Sequence, residues 1–185
     1  PGMAFVVHQA AELAGNTWAN VTLLGICSSE SSVDALAAQI DAYRKTITSQ
    51  TDGDVSPYST QENPYKLIQQ KKGVWHQQYE GETGRKELNL RIRCGSAGKA
   101  IIAESQEANA DLIIIGGHCD WLDDATKKIV RNTMSSVLVI KDKRKPQMIV
   151  CCLDQDTVTQ ASIELINQLV TLHGVDLEIV GVNGA

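Results

Sequence analysis

Apolar positions recur at helical spacing in Ala4 to Ala14, where Phe5, Val6, Ala10, Leu13 and Ala14 share a stripe and Gly15-Asn16 supply a stop. Asn20 to Cys27 is a short apolar run and predicts a buried strand. Asp34 to Ile47 carries Leu36, Ile40, Tyr43 and Ile47 on one stripe and predicts a second helix. Leu88 to Arg93 alternates apolar and polar, the pattern of a more exposed strand. A third helix is predicted for Ser96 to Ala108, then a strand at Asp111 to Gly116, a short helix at Asp123 to Arg131 and a strand at Val137 to Ile140. Between the second helix and the Leu88 strand, residues 51–86 collect Gly53, Pro57, Pro64, Gly73, Gly81 and Gly84 among polar residues. That stretch is too long for an ordinary connection and reads as an insertion with one short helix at Tyr65 to Lys72.

A basic linker, Lys141 to Pro146, is followed by a predicted strand at Met148 to Leu153, a helix from Thr157 to Leu172 and a strand at Leu177 to Val182. This closing unit repeats the opening one. Aligning Val7 with Ile163 places Leu13 on Leu169, Val21 on Leu177, Leu23 on Ile179, Gly25 on Gly181 and Ile26 on Val182. In that register the strand Met148 to Leu153 has no counterpart at the start of the chain, because Pro1 falls on Thr157. The domain reading is therefore residues 1–141 as one α/β domain lacking its first strand, and residues 147–185 as the first strand-helix-strand of a second copy. A parallel sheet without that strand exposes two unpaired edges, so the sequence is expected to be a piece of a longer protein, or Met148 to Leu153 fills the vacant slot within or between chains.

Charge narrows the function classes. At 185 residues the formal net charge is -5, which argues against a nucleic-acid binder that works by releasing counterions. No apolar run reaches the ~20 residues of a membrane span and no signal peptide is evident, so a soluble, cytoplasmic protein is expected. Cys27, Cys94, Cys119, Cys151 and Cys152 lack a C-x-x-C pair and are expected to be reduced, behaving as small hydrophobes.

The stretch with the most chemistry is Asp111-Leu-Ile-Ile-Ile-Gly-Gly117, a buried strand that stops at glycines and feeds a helix. Backbone N–H groups and a helix dipole then converge on one point, which suits phosphate. The following residues, His118-Cys119-Asp120-Trp121-Leu122-Asp123-Asp124, are acidic where a phosphate cradle wants glycine or hydroxyl. A carboxylate about 4 Å from a phosphate charge costs on the order of 1 kcal/mol in water and about 4 at an effective dielectric of 20. The same residues also read as a helix cap, with Asp120 or Asp123 taking the N–H bonds a phosphate would have taken. A metal site at His118 and Cys119 lacks a convincing ligand spacing.

Ala110 to His118 with Ile129 to Ile140 resembles the last strand-helix-strand of the universal stress protein family, and Ile149-Val-Cys-Cys-Leu-Asp154 resembles its first strand and terminal aspartate. The resemblance covers nearly the whole chain. It implies a Rossmann-like α/β fold: an open, five-stranded parallel sheet with helices on both faces, dimers formed through the last strand, and tandem copies. It also implies that some members bind ATP or another adenine nucleotide. The residues implied to touch such a ligand are Gly116, Gly117, His118, Cys119 and Asp154, with Asp154 near Gly116 if the second copy's strand fills the slot. The family's phosphate motif runs glycine, two residues, glycine, nine residues, glycine, then serine or threonine. Gly116 matches its first glycine, but Cys119 takes the place of the second, and the later pair falls on Asp123-Asp124 or on Ile129-Val130. The expectation is a non-catalytic stress-response protein with an eroded phosphate loop, no cofactor and no metal, acting as a homo-oligomer or through a protein partner. The alternatives are an ATP-binding switch that uses a divalent cation, and a regulatory module of a transporter or sensor kinase. His8, His76 and His173 are expected at the surface, Ser28 to Ser32 as loop and cap, and Trp75, His76 and Tyr79 as a small satellite cluster.

Overall fold

The computed structural model describes residues 2–49, 66–78, 86–117, 123–140, 147–154 and 158–182. The chain divides into two compact units, Pro1–Lys141 and Asp142–Ala185. The first contains α1 (Met3–Gly15), β1 (Val21–Cys27), a 3-10 turn at Glu30–Ser32, α2 (Val33–Ser49), β2 (Lys66–Lys71), β3 (Val74–Gln78), β4 (Leu88–Cys94), α3 (Ala97–Glu107), β5 (Leu112–Gly116), α4 (Asp124–Asn132) and β6 (Ser136–Ile140). The second contains β7 (Met148–Asp154), α5 (Gln160–His173) and β8 (Asp176–Val182). Most of these elements fall within a few residues of where hydrophobic periodicity puts them, and the protein is α/β.

The sheet departs from the expected five parallel strands. β1 and β4 pair in parallel from Val21↔Leu88 to Cys27↔Cys94, and β5 and β6 pair in parallel from Leu112↔Ser136 to Gly116↔Ile140. Among the described residues, no strand joins these two ladders. The first ladder is extended instead by β3 and β2, which run antiparallel and give the mixed order β1-β4-β3-β2. The short helix expected at Tyr65 to Lys72 is thus a strand, β2, over its described part. Lys72-Gly73 forms a two-residue turn with Gly73 at φ 75°, a conformation only glycine adopts without strain. The turn folds β2 onto β3, and β3 finds its other partner in the open edge of β4, so tertiary pairing overrides the local helical pattern.

Apolar burial explains the face that α1 and α2 cover. Val7, Ala11, Ala14, Ile47 and Leu88 form one buried cluster, and Cys27, Val33, Ile40, Trp75, Leu90 and Ile92 form a second. Trp75 therefore belongs to the main core, not to a satellite, while Tyr79 lies outside the described residues. His8 is exposed, but His76 and His173 are half-buried. The His76 Nδ1 is buried with no hydrogen-bond partner. Burial first, and then the Arg91 charge, hold its imidazole below the usual titration range.

The opposite face of β4 is polar, and its central ion pair is buried. Arg93 donates from Nε to Glu104 Oε2 at 2.6 Å and from a terminal nitrogen to Glu107 Oε2 at 2.6 Å, with the Arg93 and Glu104 side chains 7% and 6% exposed. Lys71 on β2 reaches Glu107 Oε1 at 2.7 Å, Arg91 lies 3.5 Å from Glu104 Oε1, and Arg91 also donates to Gln70 at 3.0 Å. This chain of charges ties α3 to β4 and to the hairpin. Burial pulls the Arg93 guanidinium down, but its bonds to Glu107 and Glu104 outweigh burial and leave it raised. At the other end of β4's approach, Lys86 is buried and donates to the Ala14 carbonyl at 2.9 Å and to that of Thr17, closing the carboxyl end of α1. Burial lowers its ammonium's affinity for the proton.

In the second unit, β7 and β8 are parallel from Met148↔Asp176 to Asp154↔Val182, joined through α5. Thr159 caps α5 by accepting from the Ser162 N–H at 3.2 Å, and Gly174 ends it in the left-handed region.

Two predictions follow from the charge cluster. Glu104→Ala leaves the Arg93 guanidinium undercompensated and is expected to destabilise the protein by roughly 3 kcal/mol or more in urea denaturation. Hydrogen bonds from Lys71 and then Arg93 hold the Glu107 carboxyl down at about 2, from an ordinary 4.5. Its folded-state value is depressed, so its contribution is complete above the unfolded value and fades as pH falls from 4.5 toward 2. The gap in urea midpoint between the wild type and Glu107→Gln should be present at neutral pH and shrink across that window.

Candidate functional site

Three structural requirements act on the described residues that flank positions 118–122. β5 is an apolar strand held to β6 along its length, and the Gly117 N–H extends that ladder by donating to the Ile140 carbonyl at 2.9 Å. Gly116 faces α1: a β-carbon there would lie 2.9 Å from Val6 Cγ2, so the absence of a side chain lets the helix close on the strand. Asp123 then starts α4, its Oδ1 accepting from the Thr126 N–H at 2.6 Å. The backbone and hydroxyl of Thr126, in that order of strength, hold the Asp123 carboxyl below the usual carboxylate range. Asp124 occupies the first turn and lies 3.7 Å from Lys127. Both acids suit the positive end of the helix dipole.

Each of these facts bears on anion binding. The Gly117 N–H is spent on the sheet, and the free end of α4 already holds a carboxylate where an incoming phosphate oxygen would sit. Of the two capping candidates, the structure has Asp123 in the role; Asp120, His118 and Cys119 lie outside the described residues. Asp154 is the last residue of β7 in the second unit and pairs with Val182 along the backbone; its side chain is not among those described. Gly116 and Gly117 are thus the sequence-predicted site residues that the structure puts together. Ser29 starts the 3-10 turn without a side-chain cap and its hydroxyl is 2.8 Å from that of Ser31, consistent with a loop role for the serines. Among the described residues, no cluster of three His, Cys, Asp or Glu side chains is arranged to hold a metal.

Sequence reasoning missed two constellations near the C-terminal end of β4. One is the Arg93, Glu104 and Glu107 cluster, for which the signal was two arginines alternating with Leu90 and Ile92 and two glutamates three apart on the next helix. The other is Cys27 and Cys94, whose sulfurs are 2.6 Å apart. Their only sequence signal is that each is the last residue of a predicted or extended strand.

No family model matches the chain, and no curated protein matches it. Among solved structures, one described as a universal stress protein in complex with cAMP is similar, with 13% identity, a TM-score of 0.48, and coverage of 75% of this chain and 86% of that one. At that identity the likeness says nothing about what this chain binds. No described helix is long and apolar enough to cross a membrane.

The packing reading of Gly116 makes a distinct prediction. Gly116→Ala should cost about 1–3 kcal/mol through overpacking against Val6. Urea denaturation of the double variant with Val6→Ala should recover most of the loss relative to Val6→Ala alone, which a ligand-approach role for this glycine would not produce.

Proposed function

We propose that the chain is a non-catalytic, universal-stress-type protein whose first domain has an eroded phosphate site and which acts by associating with itself or with a protein partner. The observation that carries this reading is the Asp123 carboxylate bonded to the Thr126 N–H at 2.6 Å, the position from which a helix N-terminus would otherwise bind an anion. The engagement of the Gly117 N–H with Ile140 supports it, since the donor at the end of β5 is taken up by the sheet. Displacing Asp123 would bring phosphate against Asp123 and Asp124 together. At about 1.4 kcal/mol per tenfold in affinity, that repulsion is enough to abolish a weak site.

The tandem reading has its own support. The α1-to-β1 passage of the first unit matches the α5-to-β8 passage of the second in element type and nearly in length: α1 has 13 residues and α5 has 14, and β1 and β8 have 7 each. Association is supported by the apolar side chains on the strands of the second unit, where Val150 is 50% and Ile179 62% exposed.

Isothermal titration of the purified protein with ATP, with and without magnesium, and with cAMP tests the site. The expected result is no saturable heat in any of the three. Saturable micromolar binding that weakens on Gly117→Val would overturn the eroded-site reading and favour a nucleotide switch.

A further inference from the structure

We infer that Cys27 and Cys94 form a reversible intramolecular disulfide by exchange with a low-molecular-weight disulfide of the glutathione class. The two residues are direct partners on the last rung of the parallel β1–β4 ladder. Adjacent strands lie about 4.8 Å apart, inside the span of about 4.4–6.8 Å that a disulfide asks of its α-carbons. Partners in register point to the same face, and the two sulfurs are 2.6 Å apart. Backbone bonds hold both residues in place: the Gly95 N–H donates to the Cys27 carbonyl at 2.9 Å, and the Cys94 N–H to the Gly73 carbonyl at 2.8 Å. Bond formation therefore needs rotation of side chains, not movement of strands.

The two thiols differ in access. Cys27 is buried among Val33, Ile40 and Trp75, whereas Cys94, the last residue of β4, is partly exposed. The order of steps follows. The Cys94 thiolate attacks one sulfur of the small disulfide, forming a mixed disulfide and releasing one thiolate. Cys27 then loses its proton to solvent and attacks the Cys94 sulfur, releasing the second thiolate. The pair gives up two electrons and two protons, and the small disulfide becomes two thiols. Burial, then the Cys27 neighbour and the charge of Glu30, push the Cys94 thiol up to about 11, so exchange is slow at neutral pH and faster as pH rises. The product is a lock on the last rung of a pre-aligned ladder, set by the redox poise of the surroundings.

The test is incubation of the full chain with mixtures of reduced and oxidised glutathione in mildly alkaline buffer, natively and in concentrated urea, followed by acid quench, alkylation and peptide mapping. The expected product joins the Cys27 and Cys94 peptides with a loss of about 2 Da. The native fold should favour it over the urea-unfolded chain by on the order of 100-fold at a given glutathione ratio, because the ladder has already closed the loop. Cys27→Ser should halt at a glutathione adduct on Cys94, and Cys94→Ser should leave residue 27 unmodified. The inference is overturned if both thiols stay alkylatable, if they carry only glutathione, if either pairs instead with Cys119, Cys151 or Cys152, or if urea makes no difference. The wild-type map decides the matter even where a serine variant fails to fold.

Discussion

The parallel ladder between β1 and β4 is the constraint on which the first unit rests. It joins segments separated by α2, the hairpin and the whole of residues 51–65, so its entropy of closure must be met before any core forms. Once Val21 is opposite Leu88, the inward faces of the two strands supply Leu23, Leu88, Leu90 and Ile92 to the clusters under α1 and α2. The same register turns Arg91 and Arg93 to the other face, where α3 meets them with carboxylates. A slip of one residue would put the arginines into the apolar clusters and the leucines against Glu104. Both faces therefore specify the same pairing.

Most of the secondary structure was legible because burial on one face leaves a period in the sequence. Helices α1, α2 and α3 and strands β1, β5 and β8 were visible for that reason. The hairpin was not. Lys-Leu-Ile-Gln-Gln-Lys has an apolar pair flanked by polar residues, which fits a turn of helix as well as a strand, and what decides between them is the β4 edge, distant in sequence. The alternation at Leu88 to Arg93 reads as a strand, and the structure adds that Arg93 on its polar side is buried against Glu104. Periodicity reports that a face is polar, but whether water or a carboxylate meets it depends on where the next helix lands.

At the strand-to-helix turn, residue chemistry was more informative than motif matching. The acids after Gly117 read equally as a poor phosphate cradle and as a cap, and Asp123 is a cap. The roles of the glycines needed the fold. Nothing in the sequence places Val6 against Gly116, since α1 and β5 are far apart along the chain, and nothing assigns the Gly117 N–H to Ile140. Glycine after an apolar strand is thus weak evidence for a ligand when a helix packs across the same spot.

The hairpin also changes what the sheet shows to other molecules. Without it, β4 would offer a neighbouring chain seven residues of regular strand edge with apolar side chains on one face. With it, the outward edge on that side is β2, whose pairing is broken by an irregularity between Gln69 and Lys71 and which ends in a lysine already engaged with Glu107. An irregular, charged edge is a poor template for further strands. The addition that breaks the parallel symmetry of the sheet therefore also guards its β4 side against further strand pairing.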